Sequence, residues 1–354
     1  MKRLMIAVMG AGLIGRRHAE RIMSEPGCIL SAVIDPSSAG RSFAENAGIP
    51  WYQSFSDIRV GDRPDGVIIA TPNQLHVENG IEVAAAGIPA LIEKPIADDV
   101  RAAEVLVAAY EEAGIPLLVG HHRRYNPMIQ AAKKVLDSGR LGQIVSAHGT
   151  FWVAKPDDYF DTPWRREVGA GPIFINLIHD VDVFRYLLGE VEAVHTMESR
   201  AVRQYPVEDT AVVSLRFASG VLATFNVSDA VAAPWSWEMT TGENPAFPRE
   251  DQFCYQIGAT QGSLDIPQLT LWTYPSKPDW LQPLVHERIP FEPADPLCVQ
   301  LKHLCDVIRG NATPLVSGRE GLATLRVSEA IKASAQTAQV IHPSSIGVEE
   351  SLAK

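Results

Sequence analysis

The chain has no excess of basic residues, few cysteines, no long apolar run, no internal repeat and no low-complexity segment. Each absence removes a class of function. The formal net charge is −11, so there is no basic excess to support non-specific binding to nucleic acid or to an anionic membrane. Only four cysteines (Cys28, Cys254, Cys298 and Cys305) occur in 354 residues, with no C-x-x-C spacing and no clustered histidines. That argues against a metal site or a disulfide framework and for buried thiols in a reducing compartment, the cytoplasm. The apolar run Leu4–Met9 is far too short for a membrane span and passes directly into a glycine-rich turn, so it reads as a buried first strand and not as a secretory leader.

What is present is ordinary globular material. Hydrophobic residues make up 46% and charged residues 21% of the chain, and the length suits two domains with large cores. The first 120 or so residues alternate short apolar strands (4–9, 29–34, 66–70, 90–92, 117–119) with helices (13–23, about 75–87, about 99–114), the pattern of a doubly wound parallel sheet. After His121 the texture changes. A helix over 126–138 precedes strands at 144–153, 193–200, 210–217, 221–227, 254–257, 263–266 and 269–274, and Ser219-Gly220 marks a hairpin turn. Helices over 296–309 and 319–340 close the chain. The expected division is a nucleotide-binding α/β domain over 1–122, an α+β domain over 123–342, and a tail over 343–354.

Gly10-Ala11-Gly12-Leu13-Ile14-Gly15 follows the first strand and opens the first helix. Gly10 permits the tight turn, Gly12 lets the backbone approach a pyrophosphate, and Gly15 allows close helix–strand packing. The helix start offers N–H groups and a positive dipole end to the phosphates. Asp35 ends the second strand twenty residues after Gly15, where a carboxylate accepts hydrogen bonds from the adenine-ribose diol. It favours NAD, while Arg41 and the Ser37-Ser38 pair leave NADP open. Glu93-Lys94-Pro95, after a later strand, puts a lysine on the same sheet edge, near where a nicotinamide ring could lie.

These motifs, together with Thr71-Pro72-Asn73, His76 and the segment over 171–182, resemble the glucose-fructose oxidoreductase/inositol dehydrogenase/MocA family along nearly the whole chain. The resemblance implies an N-terminal Rossmann domain and a C-terminal domain with a large, open, mostly antiparallel sheet. One face of that sheet would carry the substrate pocket and the other a subunit interface, giving a homodimer or homotetramer. It further implies that Thr71, Pro72 and Asn73 line the nicotinamide side with His76 nearby, that Glu93 touches the cofactor ribose, and that Lys94 faces the substrate across a cis bond to Pro95. His179 matches the family's catalytic histidine, and an imidazole suits removal of a hydroxyl proton. The chain departs from the inositol dehydrogenase pattern at Ile175, where that pattern has an aspartate; Asn176 or Asp180 would replace part of its function. At three-residue spacing in a helix, Asn176, His179 and Asp182 share a broad face, with Asp182 expected to be structural.

The stretch over 152–166 is rich in aromatic and cationic groups. Lys155 and Arg165 suit a substrate carboxylate and Trp164 a sugar face, although a loop packed by its own aromatics fits the same residues. Tyr125 lies at the expected domain crossover and is a further substrate-binding candidate. The leading expectation is an NAD(P)-dependent oxidoreductase acting on a CH–OH group of a sugar, polyol or related hydroxy acid. Lys94 and His179 would handle the oxygen and its proton, without a metal. A redox-neutral enzyme with retained NAD, acting by elimination or glycoside cleavage, is the alternative, and a non-catalytic dinucleotide or sugar sensor is another.

Overall fold

The computed structural model describes residues 2–167 and 169–347. The N-terminal part contains β1 (Leu4–Met9), α1 (Leu13–Ser24), β2 (Cys28–Ile34), α2 (Ser38–Ala47), β3 (Trp51–Tyr52), β4 (Gly66–Ile69), α3 (His76–Ala85), β5 (Ala90–Ile92), α4 (Val100–Ala113) and β6 (Leu117–Val119). Its strands form one parallel six-stranded sheet in the order β3-β2-β1-β4-β5-β6. The order reverses between β1 and β4, and such a switch point opens a crevice beyond the carboxyl ends of the strands. The strands are near-continuous apolar runs because both faces are covered.

The register sets up the site. Met9 is level with Ile34 on one side and Ile69 on the other, Ile69 is level with Ile92, and Ile92 with Val119. Five strands therefore finish in one row, and the residues that follow each of them emerge along one edge. Two strand spacings separate β1 from β5, about 10 Å.

The chain continues through α5 (Pro127–Asp137), β7 (Ile144–Trp152), a π-helical turn (Ile173–Leu177), α6 (Ile178–Leu188), β8 (Val191–Ser199), β9 (Thr210–Phe217), β10 (Leu222–Ser228), α7 (Trp237–Thr241), β11 (Tyr255–Ala259), β12 (Gly262–Ile266), β13 (Thr270–Thr273) and β14 (Val285–Arg288). The eight strands lie in the order β14-β13-β12-β11-β7-β10-β9-β8. Every pair is antiparallel except β7 with β10. Period-two burial gives the sheet two unlike faces. On β9, Ala211, Val213, Leu215 and Phe217 join a core with Met128 and Ile129 of α5 and Val181 and Phe184 of α6. Val212, Ser214 and Arg216 point the other way and are exposed.

The last helices are α8 (Pro296–Ile308) and α9 (Gly318–Thr337). The first compact unit takes in residues 294–325 as well as those up to Tyr125, and the second comprises 126–293 and the residues from Arg326 on. Leu301, Leu304, Cys305 and Val307 of α8 pack in one cluster with Ile6, Val8, Ala19 and Ile22. That return differs from the expected single boundary near 122, because an apolar helix face does not announce which sheet it will cover. Ile341, at the end of the expected second domain, bridges Val194, and the start of the expected tail packs, since Pro343–Ser345 forms a short helical turn with Pro343 buried. From residue 348 on, the tail lies outside the described residues.

Candidate active site

The glycine turn does three separate jobs. Gly10 has φ +90°, and a Cβ there would lie 2.5 Å from the Ala70 carbonyl oxygen, so only glycine fits. A Cβ on Gly15 would overlap the Gly10 carbonyl oxygen, whereas one on Gly12 would meet nothing of the protein within 4 Å. Gly12 thus guards open space at the N-cap of α1, and Leu13 beside it is 86% exposed. The first-turn N–H groups, those of Leu13 and Ile14 among them, lack intrahelical acceptors by geometry. Space plus donors plus a helix dipole fit a pyrophosphate.

Asp35 is held rigidly beside this turn. One carboxylate oxygen accepts the Ala11 N–H at 2.6 Å, and the other accepts the Ser37 N–H at 2.8 Å and the Ser37 hydroxyl at 2.5 Å. Burial works against ionisation, but the bonds from Ser37 and Ala11 and the Arg16 charge outweigh it and hold the carboxyl below its ordinary range. An ionised carboxylate only accepts, which suits a ribose diol and opposes a 2′-phosphate. The Trp51 indole N–H donates to the Asp35 carbonyl at 2.8 Å, and the Arg41 guanidinium lies 5.2 Å from the Trp51 ring centroid.

Along the same edge come Thr71-Pro72-Asn73 after β4 and Glu93-Lys94-Pro95 after β5. Pro72 and Asn73 are exposed and Thr71 half-buried, and the Thr71 hydroxyl donates to Asn79 Oδ1 at 3.0 Å. Lys94 is partly exposed, and its bond to Pro95 is cis. Glu93 is turned inward. Its Oε1 is 2.7 Å from His18 Nε2, and its Oε2 accepts the Lys94 backbone N–H at 3.2 Å. Glu93 therefore braces the lysine's backbone from within. His76 is fully buried, its two ring nitrogens 2.8 Å and 2.9 Å from the carbonyl oxygens of Pro95 and Thr71. It lies between the segments that follow β4 and β5, and burial lowers its pKa. Tyr125 is also inside, packed against His303 at 5.4 Å between ring centroids.

In the second unit, the π-helical turn leads straight into the helix of His179. Phe174, Ile175, Asn176 and His179 are partly exposed, while Leu177, Ile178, Asp180 and Asp182 are buried. The expected common face thus keeps Asn176 and His179 but loses Asp182. Each three-residue step falls about 60° short of a full helical turn, so the face has rotated away from the exposed side by Asp182. Asp180 accepts the Tyr255 hydroxyl inside the core, so it does not stand in for the aspartate missing at Ile175.

Lys155 reaches Asn176 from a neighbouring segment. Its Nζ donates to Asn176 Oδ1 at 3.1 Å and pairs with Asp229 at 3.3 Å, over the Tyr159 ring. Burial lowers its pKa against the opposing pull of Asp229. Arg203 takes the other Asp229 oxygen at 3.1 Å. Arg165 lies 4.1 Å over the Tyr159 ring and donates to the Tyr159 carbonyl at 2.8 Å, with Trp164 half-exposed beside it. Glu208, clamped by Lys332 at 2.9 Å, accepts the Ile173 N–H at 3.2 Å where the π turn begins. His18, Arg203, Glu208, Asp229 and Lys332 carry no local motif, and the partners that make them informative are distant in sequence. Among the described residues, no group of three or more His, Cys, Asp or Glu side chains is placed to hold a metal ion, and no helix is long and apolar enough to cross a membrane.

Residues 4–121 match the family model described as oxidoreductase family, NAD-binding Rossmann fold, and residues 129–265 match the GFO/IDH/MocA C-terminal domain. The chain is 28% identical to 1,5-anhydro-D-fructose reductase of Ensifer adhaerens over 94% of this chain and 96% of that protein. It is 33% identical to inositol 2-dehydrogenase 4 of Saccharopolyspora erythraea over 64% of this chain and 67% of that protein. In fold it is similar to an oxidoreductase from Agrobacterium radiobacter solved with NAD+, L-tartaric acid and magnesium, with a TM-score of 0.82 at 22% identity, covering 97% of this chain and 99% of that one.

Proposed function

The chain belongs to the GFO/IDH/MocA oxidoreductase family, and on that premise we propose that Lys94 and His179 are its catalytic pair. The enzyme is an NAD(P)-dependent oxidoreductase of the sugar and polyol class. When bound, the nicotinamide supplies the acceptor or donor of a hydride. The other roles fall to the protein. The first turn of α1 and the space kept at Gly12 would hold the pyrophosphate, Asp35 would hold the ribose diol, and Thr71, Pro72 and Asn73 would border the nicotinamide side.

In the oxidation direction, Lys94 donates a hydrogen bond to the substrate oxygen and stabilises its alkoxide character as the C–H bond breaks. His179 takes the hydroxyl proton, and in reduction it returns that proton. Asn176 and Lys155 serve the substrate side, with Trp164 and Arg165 at its rim. The observation that carries this reading is the level row of strand ends, which brings the glycine turn, Asp35 and Lys94 to one edge of one sheet. The test is nicotinamide absorbance on mixing the protein with NAD, and separately NADP, across sugars, polyols and sugar acids.

The exposed Met197, Val212 and Leu222 on the outer side of the eight-stranded sheet, set among polar side chains such as Ser214 and Arg216, support a homo-oligomer that covers this face, a dimer or tetramer. Four free cysteines, three of them buried, fit a cytoplasmic enzyme.

A further inference from the structure

Ile175 stands where the inositol dehydrogenase pattern has an aspartate, and the next side chain, that of Asn176, is an amide whose orientation is set by chemistry. An ammonium group has only donors. The contact between Lys155 Nζ and Asn176 Oδ1 at 3.1 Å therefore requires the amide to turn its carbonyl to the lysine. Lys155 is itself fixed, since its ammonium pairs with Asp229 and its backbone N–H donates to the Asp229 carbonyl at 2.9 Å. The Asn176 NH2 group, with no partner among the described residues, is left to the partly exposed side of the segment, three residues before His179.

We infer that Asn176 is a specificity-determining donor, and that the substrate carries a carboxylate or carbonyl oxygen next to the carbon that reacts. The class is the sugar-type hydroxy acid, an aldonic or aldaric acid, in preference to the neutral polyol. This deepens the proposed function and rests on its placing the reacting carbon at His179. A hydroxyl at that point brings a proton that needs an acceptor, yet Lys155, Arg203 and the Asn176 NH2 only donate. Of the carboxylates whose charge reaches Lys155, Glu238 and Asp229, the one that pairs with its ammonium is already used, one Asp229 oxygen by Arg203 and the other by Lys155. An acceptor-only group leaves nothing stranded. A site built to hydrogen-bond a group discriminates strongly against an analogue that cannot complete the bond.

The test is calorimetric titration of the NAD-loaded protein with matched pairs, D-gluconate against D-glucitol and D-galactonate against galactitol, with hydride transfer followed separately. The acid of at least one pair binds about tenfold or more tightly than its alditol. Asn176→Asp keeps the contact with Lys155 but shows an acceptor, and it removes or inverts that preference. Lys155→Met lets the amide rotate and narrows it. Asn176→Ala, which adds no charge, loses the preference as well, and thermal melts identify any variant that has failed to fold. Equal binding of acid and alditol, no acid binding, or a preference unchanged in folded Asn176→Asp and Asn176→Ala overturns the inference. Turnover of neutral polyols alone overturns it while leaving the dehydrogenase reading intact. Asn176-dependent acid binding with no hydride transfer to or from any compound does the reverse.

Discussion

Glu93 and His18 lie 75 residues apart in sequence, yet their side chains meet at 2.7 Å with almost no exposure to water. The pair stands directly behind the lysine proposed to act on substrate, because the second Glu93 oxygen holds the Lys94 backbone N–H. Removing one partner leaves a buried charge with lost compensation. His18→Ala is expected to destabilise the protein by roughly 3–5 kcal/mol, read as a lower urea midpoint. Glu93→Gln removes the charge but keeps the shape, and a smaller loss is expected.

The same pair sets an acid limit. Burial raises the Glu93 pKa, but the hydrogen bond and charge of His18 dominate and hold the carboxyl at about 2, against an ordinary 4.5. A carboxyl whose folded pKa is depressed contributes stability that is fully present above the ordinary value and is lost as pH falls through the folded one. The contribution of Glu93 should therefore fade between about pH 4.5 and pH 2. Unfolding free energies of wild type and Glu93→Gln should converge across that window, and a constant difference contradicts the assignment.

The glycines of the first turn should separate binding from folding. Gly12→Ala is expected to melt like wild type, since its Cβ meets no protein atom within 4 Å, and to lose NAD affinity about tenfold or more. Gly15→Ala is expected to lower the melting temperature, because its Cβ overlaps the Gly10 carbonyl. Titration calorimetry and thermal melts on the two variants check both halves.

Asp35 should decide the cofactor. Asp35→Asn removes the charge that opposes a 2′-phosphate and one of the acceptors for the ribose diol. NAD affinity should fall about tenfold and the ratio of NAD to NADP affinity should shrink, measured by fluorescence titration with each cofactor. An unchanged ratio contradicts the role.

Much of the first unit is legible in the sequence because its signals are local. The 4–9 strand, the 90–92 and 117–119 strands, the glycine turn and Asp35 each lie within one short run of residues. The helix Ser38–Ala47 is not, since only Gly40 and Ala44 of its ten residues are buried and its apolar stripe is too thin to read. Edge strand Val285–Arg288 is exposed throughout, so burial alternation is missing. At the site, Lys94 and His179 stand out in sequence by motif. The inward turn of Glu93, the buried position of Tyr125 and the capture of Asn176 by Lys155 depend on partners distant in sequence, 75 residues for Glu93 and His18 and farther for Tyr125 and His303, or on a π turn. No periodicity in a single sequence encodes those.

Lys94 is proposed to act on the substrate oxygen during hydride transfer. The direct measurement is the steady-state rate of NAD reduction by the best compound of the panel, for wild type and Lys94→Ala, with NAD affinity measured in parallel. A loss in kcat/KM of about a hundred- to ten-thousandfold is expected, with NAD affinity nearly unchanged. A Lys94→Ala enzyme that binds NAD and turns over at the wild-type rate contradicts it.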